Sequence, residues 1–180
     1  MDELMDVIRQ RRSVRNYLDK EVPDNLVQSV LEAVQWTPSW ANTQCWEVIV
    51  VRNHSVKQQL QESVPKANPA HKSIVDAPIV LALCAKIGIS GYYKGVSTTK
   101  FVDWFMFDIG LAAQNINLAA HALGLATLIV GLYDHDRAKA VLQIPDGFEL
   151  VALMPLGYAS KVPSPPKRKN IGEFMHLNIF

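Results

Sequence analysis

The stretch FVDWFMFDIGLAAQNINLAAHAL, Phe101 to Leu123, decides the fold. Its apolar residues are too dense for one helical face. Phe101, Trp104, Phe105, Phe107, Leu111, Ile116 and Leu118 cannot share a side, yet Gly124 is placed to stop a helix. The spacing predicts one helix about 35 Å long. Asp103, Asp108, Gln114, Asn115, Asn117 and His121 argue against a membrane span. A helix that is apolar nearly all round is either the central helix of a fold or the core of a dimer.

Working outward, the chain reads as a single domain over residues 1–180, without repeats or linkers. Leu4, Val7 and Ile8 predict a short opening helix, and Pro23-Asp24 starts a second. Trp46–Val51 reads as a buried strand, Pro78–Ala85 as a second strand, and Thr127–Val130 and Leu150–Leu156 as a third and fourth. Ser55 is placed to cap a helix reaching about Ser63, and Asp134 to cap another. Residues 87–100, with Gly88, Gly91 and Gly95, read as a mobile loop. The pattern is α+β, a small sheet between helices. The tail over residues 160–180 is too polar for core, yet Ile171, Phe174, Met175, Leu177 and Phe180 need cover; a neighbouring subunit is the expected place.

Composition narrows the function. The chain is 49% hydrophobic and 19% charged, which excludes disorder and hints at an oligomer interface. A net charge of +1 and no basic stripe interleaved with aromatics argue against nucleic acid as a partner. No basic-then-apolar leader opens the chain, and Cys45 and Cys84 form no CxxC pair. Both features lead us to expect a cytoplasmic protein without a disulfide framework. The histidines show no ligand spacing, so no metal site is expected. GxSxG, GxGxxG and Gly-Lys-Ser/Thr motifs are missing. Cys45 has no visible base and reads as an inert small residue.

Two anomalies remain. Arg11-Arg12-Ser13-Val14-Arg15 packs three guanidiniums and a hydroxyl into five residues, a donor set suited to a phosphate. Pro38-Ser39-Trp40-Ala41-Asn42-Thr43-Gln44-Cys45-Trp46 places amides, hydroxyls and two indoles just before a strand, where a flat, heteroatom-rich ligand could bind.

These segments resemble the nitroreductase family of flavoproteins, in register over nearly the whole chain. The family's Arg-Arg-Ser-x-Arg segment matches Arg11–Arg15, and its Pro-Ser-x-x-Asn-x-Gln-Pro-Trp loop matches Pro38, Ser39, Asn42, Gln44 and Trp46. Asp108–Thr127 is similar to its central dimer helix, Leu156-Gly157-Tyr158 to its last-strand signature, and Lys167-Arg168-Lys169 to its C-terminal basic motif. The resemblance implies a mainly antiparallel sheet flanked by helices in an interlocked FMN-binding homodimer. Arg11, Arg12, Ser13 and Arg15 would hold the phosphate and ribityl chain, with Arg15 toward flavin N1 and O2. Arg168 would return to the phosphate. Ile129, Val130 and Gly131 would face flavin N5. Pro38, Ser39, Trp40 and Gln44 would come from the other subunit. Cys45 departs from the family's proline, and Trp40 from a small residue or histidine.

The implied activity is ping-pong transfer of hydride from NADH or NADPH through flavin N5 to a small-molecule acceptor: a nitroaromatic, a quinone or a similar electron-poor compound. No catalytic side chain is implied. Tyr92, Tyr93, Phe101 and Trp104 are candidates to cover the site. Alternatives on the same fold are reductive dehalogenation, flavin-dependent dehydrogenation, or FMN binding without a dedicated acceptor.

Overall fold

A computed structural model of the protein describes residues 2–180. The elements are α1 (Asp2–Gln10), β1 (Asn16–Tyr17), α2 (Asp24–Gln35), β2 (Trp46–Val51), α3 (His54–Gln61), α4 (Ser73–Asp76) and β3 (Ile79–Lys86), followed by the hairpin β4 (Tyr92–Tyr93) and β5 (Val96–Ser97). Then come α5 (Phe105–Ala122), β6 (Ala126–Thr127), α6 (His135–Leu142), β7 (Phe148–Gly157) and β8 (Ala159–Lys161).

The principal sheet has the order β2-β3-β7-β6, and every pairing is antiparallel. Its middle strand explains the layers. Ile79 to Ala85 is buried throughout, so β3 needs cover on both faces. Ile79, Leu81, Leu83 and Ala85 point to one cluster, shared with Val27, Val30 and Val34 of α2 and Ile109, Ala112, Ala113 and Ile116 of α5. Val80, Ala82 and Cys84 point to the other, with Leu60 of α3, Ile74 of α4 and Ala138 of α6. The expected antiparallel sheet between helices is the architecture observed.

The differences are local. The helix expected from Phe101 starts four residues later. Val102 adopts φ +63°, which breaks helical geometry, and Asp103 accepts hydrogen bonds from the N–H groups of Gly88 and Phe105. Within this chain α5 is buried along Asp108, Ile109, Ala112, Ala113, Ile116, Asn117 and Ala120, while Met106 and Phe107 stand open. The strand Trp46–Val51 lies at the sheet edge rather than inside it, with Glu47 and Val50 exposed. Asn53, not Ser55, caps α3: its side chain accepts the Val56 N–H at 3.1 Å. The third strand is reduced to Ala126–Thr127 and a single bridge at Val130. Part of the expected loop over 87–100 is the β4–β5 hairpin. Asp134 caps α6 as expected.

The β1–β8 ribbon was not anticipated. It brings the Tyr17 hydroxyl within hydrogen-bond reach of two carbonyls, those of Val14 at 3.0 Å and Pro155 at 3.2 Å, which share its one proton. Residues 162–180 are exposed throughout, with Ile171 at 67% and Leu177 at 77% of full accessibility.

Close packing explains why β7 ends in glycine, at Gly157. A Cβ there would stand 2.5 Å from Cδ of Pro78 and 3.1 Å from the Tyr17 ring. Gly157→Ala should lower unfolding stability by about 1–3 kcal/mol in urea. Gly172→Ala, with open space around it, should stay within about 0.5 kcal/mol of the parent.

Candidate functional site

Extended backbone alternates its side chains, and the arginine segment uses that alternation. Val14 is pulled inward: it is 2% exposed and its N–H donates to the Thr127 carbonyl at 3.0 Å. Ser13 bridges Thr127 in parallel. Anchoring Val14 turns its neighbours Ser13 and Arg15 outward. Arg11, Arg12, Ser13 and Arg15 line a cavity of about 350 Å³, closed opposite by Pro163, Ser164, Pro166 and Arg168 of the tail. The two basic ends of the chain therefore meet.

Among the described residues, no carboxylate forms an ion pair with any of these arginines. Burial, then the neighbouring charges of Arg12 and Arg168, lower the pKa of Arg11 from its ordinary value. Arg12 is partly engaged elsewhere, since its Nη1 donates to the carbonyls of Arg9 and Arg11 at 2.5 and 2.8 Å. Converging like charges with a free hydroxyl are complementary to a phosphate monoester. The donor set fits the phosphate end of FMN.

The pairing of Ser13 with Thr127 brings the segment after β6 alongside. Ile129 and Gly131 are exposed there. Val130 is not: its side chain is in the core, and its N–H and C=O are both bonded to Leu153 at 2.9 and 3.0 Å. Within this trio, Ile129 and Gly131 are the residues open to a ligand.

The loop carrying Pro38, Ser39, Trp40 and Gln44 lines none of the arginine cavity. It is a tight structure built around a 3₁₀ turn, Trp40–Asn42, with Ala41, Asn42 and Gln44 all at positive φ. Ser39 Oγ accepts the Gln44 N–H at 2.9 Å. The Trp40 N–H donates at 3.0 Å to Oδ1 of Asp108, a carboxylate with no exposure. Oδ2 of Asp108 accepts the Ser90 hydroxyl at 2.6 Å, and the Cys45 thiol lies 3.6 Å from the same oxygen. Burial and then the Asp108 charge push the Cys45 thiol up to about 12, so it stays protonated and un-nucleophilic, as its lack of a base suggested.

Sequence reasoning missed two site-adjacent groups. Asp108 registered there only as a polar break in an apolar helix. His121 lines a groove with Arg11 and Arg12, and burial followed by those two charges lowers its pKa. No helix among the described residues is long and apolar enough to cross a membrane.

Comparison with known proteins identifies the family. The model of the Nitroreductase family matches residues 8–158, and the chain belongs to that family. A protein of Methanothermobacter thermautotrophicus, provisionally named NADH dehydrogenase/NAD(P)H nitroreductase, is 32% identical over 165 residues, covering 89% of this chain and 80% of the relative. Iodotyrosine deiodinase 1 of Rattus norvegicus is 24% identical, covering 96% of this chain and 68% of its own length. Among solved structures, an FMN-dependent nitroreductase of Clostridium difficile superposes with a TM-score of 0.78 at 22% identity, covering 98% of this chain and 99% of that one.

Two outcomes follow from the charges. Arg168→Gln relieves repulsion in the cavity, so the ligand-free protein should unfold at the parental temperature or slightly above it. The stabilisation that added phosphate gives the parent should shrink; both are read by thermal melts with and without phosphate. For His121, a lowered folded pKa means that the unfolded state binds the proton first as pH falls. Its contribution to stability is therefore lost below the ordinary histidine range. His121→Gln should flatten that part of the stability-versus-pH curve, measured by urea unfolding at several pH values.

Proposed function

We propose that the protein is an NAD(P)H-dependent FMN oxidoreductase acting on small electron-poor acceptors such as nitroaromatics or quinones. The observation that carries this reading is the basic cavity uniting Arg11, Ser13, Arg15 and Arg168 in a chain of the Nitroreductase family. The nitroreductase names of its relatives support the activity, and the FMN dependence of the Clostridium difficile protein supports the cofactor. FMN, when bound, supplies a ring that takes two electrons from NAD(P)H and passes them to a second substrate.

The chain's own residues bind and orient. Arg11 and Arg168 grip the phosphate through forked donors, with Ser13 adding a short neutral one. Gly131 offers backbone to the ring without a side chain in the way. Arg15 would supply a positive charge near the bound ring, which would favour the more negative, reduced state of the cofactor. The loop with Pro38, Ser39, Trp40 and Gln44 serves the site of a second copy, which fits its lining no part of the cavity of its own chain.

A homodimer is part of this proposal. Met106 and Phe107 of α5, Leu4 and Ile8 of α1, and Ile171, Phe174, Leu177 and Phe180 of the tail are apolar and exposed. A second copy would cover them, with the tail over 160–180 packing on its partner. The buried free thiols of Cys45 and Cys84 suit a reducing, cytoplasmic setting. Reductive dehalogenation is the second reading, favoured by the similarity to the rat deiodinase. Anaerobic turnover with NADH or NADPH separates the readings: loss of a nitroaromatic or quinone supports the first, and halide release from a halophenol the second. Oxidation of NAD(P)H no faster than in the absence of any acceptor would leave a binding protein.

Arg15→Gln should keep most of the flavin but lower its midpoint potential by some tens of millivolts, since about 30 mV corresponds to roughly 1.4 kcal/mol for two electrons. Arg11→Gln should instead weaken FMN binding with little change in potential; spectroelectrochemical titration distinguishes them. Truncation after Pro163 should remove dimer and FMN together, read by analytical ultracentrifugation with absorbance detection.

A further inference from the structure

Asp108 stands where three segments cross. Its carboxylate is fully buried, and among the described residues no cation pairs with it. It is held by donors instead: the Trp40 N–H at 3.0 Å, the Ser90 hydroxyl at 2.6 Å and the Cys45 thiol at 3.6 Å. Its place in the first turn of α5 adds the favourable peptide dipoles of the helix start.

These donors come from separate segments, which meet again where the Lys86 N–H donates to the Cys45 carbonyl at 2.8 Å at the end of the β2–β3 ladder. Trp40 and Cys45 belong to the loop over 38–46. Ser90 opens the segment leading to α5, and its carbonyl takes the Trp104 N–H at 3.0 Å. Trp104 sits in an aromatic row, with its ring 6.1 Å from that of Phe101 and 5.4 Å from that of Phe107. Gly91 is packed so closely that a Cβ would meet the Val102 carbonyl at 2.6 Å. The 38–46 loop is itself strained, with three non-glycine residues in the left-handed region. Backbone of that kind persists only where its surroundings hold it. The turn bonds of Asn42, Thr43 and Gln44 stay within the loop, whereas the Trp40–Asp108 bond ties it to the core.

We propose that Asp108 is a positioning residue that locks the 38–46 loop into its left-handed shape and couples it to the aromatic segment over 90–104. The Cys45 thiol is the third donor of this junction, at the position where the family resemblance puts a donorless proline. The loop and the aromatic segment then move as one unit, and a change on one side is felt on the other. The functional half of this inference rests on the FMN reading, with the loop serving the flavin and the aromatic segment the acceptor. The structural half does not.

Amide hydrogen exchange at Trp40 in the FMN-free full chain tests the structural half. Asp108→Ala should accelerate that exchange by roughly tenfold or more, the equivalent of one hydrogen bond. Asp108→Asn keeps an oxygen for the Trp40 N–H and should restore protection. The decisive variant is Ser90→Ala, because the hydrogen bonds of Ser90 go to Asp108 and Trp104 and not to the loop. It should still accelerate Trp40 exchange several-fold, and in the FMN-loaded enzyme raise the acceptor KM more than it changes kcat. Parental Trp40 exchange in Ser90→Ala would overturn the coupling. Parental exchange in Asp108→Ala would overturn the anchoring. Should Asp108→Ala not fold, Ser90→Ala and Asp108→Asn still decide the matter. Failure of the FMN reading is separate: the parent chain would bind no FMN, while the exchange rates would still report on Asp108.

Discussion

The inward pull on Val14 organises the rest of the candidate site. Its burial and its hydrogen bond to Thr127 fix an extended backbone against the sheet. Extended geometry leaves Ser13 and Arg15 no choice but the opposite side. The tail then brings Arg168 to the same cavity. Concentrating guanidiniums in this way opposes folding, because Arg11 is partly desolvated and feels the charges of Arg12 and Arg168. A protein that keeps such an arrangement gains from it when a phosphate arrives. The sheet supplies the rigidity that makes the arrangement possible, since β3 is packed on both faces.

The second fixed point is the start of α5. One buried carboxylate there gathers the Trp40 amide, the Ser90 hydroxyl and the Cys45 thiol. The arginine cavity and this junction are separate regions of one chain. The proposed dimer would reconcile them: each subunit would grip its own flavin by the phosphate and lend its loop to the other. The open apolar side of α5 and the uncovered tail would be buried in the same assembly.

Part of this fold is legible in the sequence. The long apolar helix, the strand over 78–85 and the Asp134 cap follow from periodicity and capping chemistry, whereas the cover on both faces of that strand shows only in the fold. What was missed depends on contacts distant in sequence. Apolar residues continue upstream to Phe101, so periodicity could not reveal that Val102 and Asp103 break the helix. Strands of two or three residues, such as β1 and β8, carry no periodic signal. Asp108 did offer one, as a charge in an apolar helix, but its partners lie 18, 63 and 68 positions away. The basic ends were visible as composition, and only the β1–β8 ribbon explains how they come together. The edge position of β2 could not be read either, because a run such as Val48–Val51 looks the same in the middle of a sheet as at its margin.

The central claim is that the paired basic ends hold FMN for reaction with a nicotinamide. Anaerobic absorbance spectroscopy of the purified chain, before and after adding NADH or NADPH, tests it most directly. The account predicts a yellow protein with about one FMN per chain, whose visible flavin bands bleach on addition of one of the two nucleotides. A colourless protein that cannot be reconstituted with FMN, or a bound flavin that neither nucleotide reduces, would contradict it.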